Sequence, residues 1–275
     1  MVGGMIVLCT GCRSGFGKLV VERASREGHT VYAGLRDPET AGALGAAGAR
    51  VIPVALDMTS EEQREAVVAR ILREQGRLDA LVNNAGVALA GFQEQVATGE
   101  LRKLFEVNVF SIHALTRLCL PQLRSSRGVV INVSSMAGRQ PLPGLGAYAA
   151  SKFALEGMTE ALRLEMRPFG VRVALVEPGP YRTDILSRNR WQARACAEPG
   201  PYSALQGRIE KLVERLEHRM GDADEVAALI VRLLTDPSPR LRHALGPGVK
   251  ARLALRGALP FEAYERVMAR VFGLD

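Results

Sequence analysis

The chain has 275 residues, of which 47% are hydrophobic and 24% charged, with a formal net charge of +7. That length suits one large α/β domain with a substantial core; no run of about 18 apolar residues suggests a membrane span, and the start lacks the basic region and cleavage site of a signal peptide, so a cytoplasmic protein is expected. The positive residues are scattered arginines without a basic run or interleaved aromatics, which argues against nucleic-acid binding, and four cysteines in so long a chain make neither a disulfide framework nor a zinc site.

Met5 to Thr10 is a continuous apolar run, the pattern of a strand buried on both faces. Gly11, Cys12, Arg13, Ser14, Gly15, Phe16 and Gly17 follow, and then a helical pattern to about Glu27. Strand, glycine-rich turn and helix in that order let backbone N–H groups and a helix N-terminus face a phosphate. Thr30 to Leu35 and Val51 to Leu56 read as the next strands, the latter ending in Asp57. A helix capped by Ser60 is expected to Gln75. Leu78 to Val82 is a fourth strand running into Asn83-Asn84-Ala85-Gly86. A long helix covers Thr98 to Asn108, with a continuation toward Leu123.

Gly128 to Val133 is a fifth strand, Tyr148 to Arg167 a helix, and Val171 to Val176 a sixth strand ending in Glu177-Pro178-Gly179. From Pro180 to about Ser203 the periodicity is lost, as in a lid. Helices return at about 205–220 and 222–234, with a last strand at 241–245 and a last helix at 261–272. The apolar and basic residues of 249–272 pose a choice between a membrane-surface segment and a cover for the pocket or core.

Alternating strands and helices imply a doubly wound, Rossmann-type parallel sheet between two helical layers, in a single domain over 1–275. Ligands bind at the carboxyl ends of such strands. Gly11 to Gly17, Asp57, Asn83 to Gly86, Ser135 and Pro178-Gly179 all follow a strand and so converge on one edge.

Tyr148 and Lys152 are four apart on a helix, hence on one face. A neighbouring ammonium stabilises phenolate, so a downward shift of the Tyr148 pKa is expected. Ser135 precedes a Gly- and Pro-rich loop that can bring its hydroxyl toward Tyr148. Such a pair suits a carbonyl being reduced or an alcohol being oxidised. At the end of the second strand, Leu35 stands where an acidic residue would select NAD, and Arg36 follows with a planar fork of donors for a 2′-phosphate, so NADP(H) is expected.

Together, Thr10-Gly-x-x-x-Gly-x-Gly17, Asn83-Asn-Ala-Gly86, Asn108, Ser135, Tyr148-x-x-x-Lys152 and Pro178-Gly179 resemble the short-chain dehydrogenase/reductase family in order and spacing. Val31 to Asp37, Ser151 to Gly157 and Pro168 to Val171 are most similar to its 17β-hydroxysteroid and retinol dehydrogenase branch. The resemblance implies Tyr148 as acid/base, Ser135 rather than Ser134 holding the substrate oxygen, and Lys152 on the nicotinamide ribose. Asn108 would help hold a relay water. It further implies Asp57 at the adenine, Asn84, Ala85 and Gly86 at the adenosine ribose, and Thr183 with the Pro178-Gly179 backbone at the carboxamide.

The expected activity is NADP(H)-dependent interconversion of a lipophilic carbonyl compound, steroid- or retinoid-like, and its alcohol. Its rivals are a reductase of carrier-bound 3-oxoacyl chains, suggested by Arg182, Arg188, Arg190 and Arg194, and a non-catalytic NADP(H)-binding sensor. The substrate lid is expected at about 180–220 and a C-terminal extension at about 241–275. A homodimer is compatible with the resemblance.

Overall fold

The apolar run after Met5 forms strand β1 (Ile6–Thr10), buried at every position as a strand covered on both faces requires. The computed structural model describes residues 4–42, 44, 50–183, 190–217 and 220–274. Beyond β1, the strands are β2 (Thr30–Leu35), β3 (Val51–Ala55), β4 (Ala80–Asn83), β5 (Ala88–Ala90), β6 (Val129–Val133), β7 (Arg172–Pro178), β8 (Arg190–Gln192) and β9 (Arg242–Leu245). Seven of them make one sheet in the order β3-β2-β1-β4-β6-β7-β9, and every pairing is parallel. The order reverses between β1 and β4. A crevice therefore opens beyond their carboxyl ends, where the glycine turn and Asn83 to Gly86 lie.

Helices α1 (Gly15–Arg26), α2 (Glu61–Gln75), α3 (Thr98–Phe105), α4 (Ser111–Ser126), α5 (Gly146–Met166), α6 (Ser203–Glu217), α7 (Ala223–Thr235), α8 (Val249–Ala258) and α9 (Phe261–Phe272) complete the chain. On one face of the sheet, Val20, Val21 and Ala24 of α1 share a core with Val226, Ile230 and Leu233 of α7. On the other, α2, α4 and α5 contribute Val67, Ile71, Ile112, Leu115 and Leu155. The doubly wound reading holds.

Local chemistry sets the helix ends. Ser60 Oγ accepts from the Gln63 N–H at 3.2 Å, Glu61 and Glu62 sit in the first turn of α2, and Gly76 ends it in the left-handed region. Ser14 at the start of α1 makes no side-chain cap bond. The first N–H groups of α1 are thus left for another acceptor.

Two regions differ from the sequence expectation. The long helix continues past Asn108 as far as Ser126, but through a single π turn at Glu106–Phe110, where the Ser111 N–H reaches the Glu106 carbonyl. Within 180–203, where no periodicity is visible, β8 pairs with β5 to form a second, two-stranded sheet. Residues 184–189 of that stretch lie outside the described residues.

The stretch 249–272 is two helices, broken before Pro260. Val249 and Leu253 of α8 and Tyr264 and Phe272 of α9 are buried against the domain, whereas Leu255, Phe261, Val267 and Val271 are exposed. No described helix is long and apolar enough to cross a membrane.

Candidate active site

A cavity of about 930 Å³ runs along the carboxyl ends of the strands. Among the residues lining it are Gly11, Arg13, Ser14, Gly15, Phe16, Arg36, Asp57, Asn84, Ala85, Gly86, Ser135, Tyr148, Lys152, Pro178, Gly179 and Thr183. Of the residues expected at the site, Gly17 and Asn108 stand just behind this lining. The convergence read from the sequence is real.

One end is built from backbone. Thr10 Oγ1 accepts from the N–H groups of Asn84 and Ala85 at 3.0 and 2.9 Å, and Asn84 Nδ2 donates to the Thr10 and Gly11 carbonyls at 2.9 and 3.1 Å. The amide of Asn84 is thereby committed to joining two loops, leaving Ala85 and Gly86 as the lining beside it. A methyl at Gly17 would overlap the Gly11 carbonyl and the Asn84 amide, so only glycine permits this turn. The rim fits a dinucleotide: α1 presents an uncapped N-terminus, and Thr183 Oγ1 is buried without a hydrogen-bond partner among the described residues. Arg36 and Asp37 are exposed at the mouth. Asp37 Oδ1 accepts from the Glu39 N–H at 3.0 Å, capping a short turn. Asp57 similarly accepts from the Thr59 N–H and hydroxyl at 2.9 and 2.8 Å, so it closes a turn while lining the cavity.

The hydroxyl pair lies deeper. Tyr148 is 8% exposed and Lys152 only 3%. Ser135 lies on the Tyr148 side of the cavity, where it lowers the Tyr148 pKa, and Ser135 Oγ accepts from the Ala137 N–H at 3.1 Å. Ser134, by contrast, is buried with its Oγ unpartnered among the described residues, which favours Ser135 as the partner of Tyr148. Lys152 Nζ donates to the Val133 carbonyl at 3.0 Å and stands 5.8 Å from the Tyr148 ring centre.

The expected downward shift of Tyr148 is corrected here. Burial pushes its pKa up to about 12, against the lowering effect of the Ser135 hydroxyl. Burial also pushes the Lys152 amine down to about 8, opposed by the Glu156 carboxylate. Desolvation is the largest cause of both shifts.

Asn108 sits in the π turn, buried. Its Oδ1 accepts from the Val87 N–H at 3.0 Å, and its Nδ2 donates to the Val87 carbonyl at 2.8 Å and to Ser151 Oγ at 3.1 Å. Ser151 Oγ in turn donates to the Tyr148 carbonyl at 2.7 Å. This chain from Val87 through Asn108 and Ser151 fixes the first turn of α5. Ser151 was not singled out from sequence as a site residue, although it lies inside the Tyr-x-x-x-Lys spacing.

Behind the pair is an ion cluster, buried at Glu156 and Glu177 and open to solvent at Arg139 and Glu160, that no local motif announces. Arg242 Nε lies 2.9 Å from Glu156 and 3.1 Å from Glu177, its Nη1 lies 2.8 Å from Glu160, and Arg139 Nη1 lies 3.3 Å from Glu177. Glu177 is pushed up to about 7, chiefly by burial and next by the neighbouring Glu156, against the two arginines. Among the described residues no cluster of side chains could hold a metal ion.

The geometry agrees with what known proteins show. Residues 5–194 match the family model described as short chain dehydrogenase. An uncharacterized oxidoreductase of Bacillus subtilis, YusZ, is 36% identical over 96% of this chain and 97% of its own. A 3-ketodihydrosphingosine reductase of Bacteroides thetaiotaomicron is 34% identical over 90% of each. Among solved structures, a short-chain dehydrogenase from Streptomyces avermitilis is 36% identical and superposes with a TM-score of 0.84 over 100% of both chains. With its seven-stranded parallel sheet and its dinucleotide-fitted rim, this chain belongs to the short-chain dehydrogenase family of oxidoreductases.

Proposed function

We propose that the protein is an NADP(H)-dependent oxidoreductase that interconverts a lipophilic carbonyl compound, steroid- or retinoid-like, and its alcohol. The observation that carries this reading is the juxtaposition of Ser135 and Tyr148 in one cavity lining with buried Lys152 beside them, set where a backbone-lined rim meets an apolar pocket. A non-catalytic sensor has no use for that trio. The similarity to a protein named as a keto reductase supports a carbonyl as the reacting group.

When bound, the nicotinamide dinucleotide supplies or accepts the hydride. Ser135 takes a hydrogen bond from Ala137 and, once substrate is bound, offers its own proton to the substrate oxygen. Tyr148, held as a phenol by burial, gives its proton to that oxygen in reduction and regains it in oxidation. Lys152 stabilises the resulting phenolate and holds the nicotinamide ribose. Asn108 and Ser151 fix the turn that carries Tyr148. Gly11, Arg13, Ser14, Gly15 and Phe16 would hold the pyrophosphate, in a turn that Gly17 permits, Asp57 the adenine, and Ala85 and Gly86, positioned by Asn84, the ribose. Thr183 with Pro178 and Gly179 receives the carboxamide.

Arg36 selects the phosphorylated cofactor. The acidic acceptor that would hold a free 2′-OH is replaced by Leu35, and Asp37 is engaged in its own turn. Free cysteines, three of them buried, support a reducing compartment such as the cytoplasm. Exposed Phe110 and Phe153, near the start of α4 and on α5, support pairing of two copies through that face. A carrier-bound 3-oxoacyl substrate is a second reading, favoured by the exposure of Arg182, Arg190 and Arg194 beside the cleft; Arg188 lies outside the described residues.

The test is a photometric assay of medium-chain aldehydes and ketones, oxo-carboxylic acids of the same chain length, retinal and keto-steroids with NADPH and NADH. Oxidation of NADPH faster than NADH with one of these classes is expected. Failure of every class with both cofactors would overturn the reading.

A further inference from the structure

The C-terminal helix α8 reaches the heart of the site. Val249 and Leu253 pack against Met136, the residue after Ser135, and a methyl on Gly179 would overlap Val249. Arg252 lies three residues after Val249, on the same face. It lines the cavity, whose apolar lining includes Met136, Leu142, Leu145, Trp191, Ile209 and Met220.

Arg13, Arg36, Lys103 and Arg190 also line the cavity without an ion pair among the described residues, but all four are exposed, whereas Arg252 is half-buried. Arg242 and Arg139 pair with Glu156 and Glu177, and Arg256 lies over the rings of Phe261 and Tyr264. Arg252 is half-buried, yet among the described residues it forms no ion pair and donates only a long 3.4 Å bond to the Pro247 carbonyl. Glu106 lines the same cavity and makes no ion pair with it among the described residues. Burial disfavours the charge of Arg252. A partly desolvated guanidinium facing an apolar cavity is uncompensated until an anion meets it, and its planar donors match a carboxylate.

We infer that the substrate is an aliphatic carbonyl compound or alcohol bearing a carboxylate, and that Arg252 binds that carboxylate. This rests on reading the cavity as a carbonyl-reducing cleft and adds the charge of its substrate. An amine of the same length would be rejected by the same side chain.

Trp191, the chain's one tryptophan, lines the cavity and reports occupancy without turnover. Decanoate, 1-decanol and decylamine are titrated against wild type, Arg252→Gln and Arg252→Lys, with and without saturating NADP⁺, following Trp191 emission. The expected result is decanoate binding about tenfold or more tighter than 1-decanol in wild type, with decylamine weakest. In Arg252→Gln decanoate and 1-decanol should bind within about threefold of each other, 1-decanol being unchanged, while Arg252→Lys keeps part of the preference. Equal binding of the three, an amine preference, no binding of any, or a carboxylate preference that survives Arg252→Gln would each overturn the inference. A carboxylate preference without reduction of any carbonyl compound would leave Arg252 in place and remove the oxidoreductase reading. Reduction of neutral ketones without a carboxylate preference would do the reverse.

Discussion

The two ends of the cleft are made of different material. At the cofactor end, Thr10, Gly11, Asn84 and Ala85 are knitted together by main-chain groups, and the lining is backbone carried on adjacent strands. At the substrate end the lining is side chains from β8, α6 and α8, elements far apart in sequence that the domain's last third folds over the sheet. Backbone cradles tolerate little change, because a single Cβ at Gly17 closes the turn. Side-chain walls can be rewritten one residue at a time. A shared rim thus serves one class of cofactor, while the other end sets the substrate.

The comparison is sharpened most by Tyr148→Phe, at the junction of the two ends. It keeps the ring in its buried place and removes the proton, so carbonyl turnover should fall about a hundredfold or more. NADPH binding, followed by fluorescence, should stay within about threefold of wild type. Loss of both together would mean that the two ends are not separable.

Arg36→Leu probes the cofactor end alone. Removing a charge-assisted bond to a phosphate is worth about 1.5 to 3 kcal/mol, so NADPH should weaken roughly tenfold to a hundredfold while NADH changes little. Equal weakening of both cofactors in a titration would remove Arg36 from the 2′-phosphate.

Lys152 gives the site a pH limit. Its amine titrates near 8 because burial disfavours the cation, with Glu156 working against that shift. Below that pH the cation stands beside Tyr148; above it the cation is lost, whereas Tyr148 at about 12 stays a phenol throughout. Reductive kcat should fall by up to about tenfold per pH unit above the limit. Glu156→Gln, read from the same pH profile, should move the limit lower.

The smallest effect concerns the ion cluster behind the site. Glu177 is raised from its ordinary range to about 7, so the folded state binds its proton more tightly than the unfolded chain. Its contribution to stability is fully present below the unfolded value and is lost as pH rises through about 7. Glu177→Gln keeps a neutral group there, and the fall in Tm between about pH 5 and 8 should shrink by a few degrees. An unchanged slope in thermal melts would show the carboxyl ionised at both pH values.

The same contrast explains what was legible in the sequence. Most strands of the main sheet are largely apolar runs, and the glycine turn, Asp57, Asn83 to Gly86, Ser135 and Pro178-Gly179 each follow a strand, so their convergence could be read in one dimension. Strands β5 and β8 could not be read: each has three residues, and their pairing joins positions about a hundred apart. The Glu156, Glu177 and Arg242 cluster is hidden for the same reason, with Arg242 and Glu156 separated by 86 positions. Arg252 was visible only as one basic residue in an amphipathic stretch, since its meaning depends on Met136 and Gly179 lying beneath α8. The pKa of Tyr148 was misjudged because spacing along a helix reports proximity but not burial.

The central claim is tested most directly by following the hydride itself. NADPH deuterated at the transferable position of C4 is incubated with the protein and the aldehydes and ketones of the assay, and the alcohols formed are weighed by mass spectrometry. The account predicts an alcohol carrying one deuterium, formed faster than with equally labelled NADH and lost with Tyr148→Phe. No labelled alcohol from any of these substrates with either cofactor would contradict it.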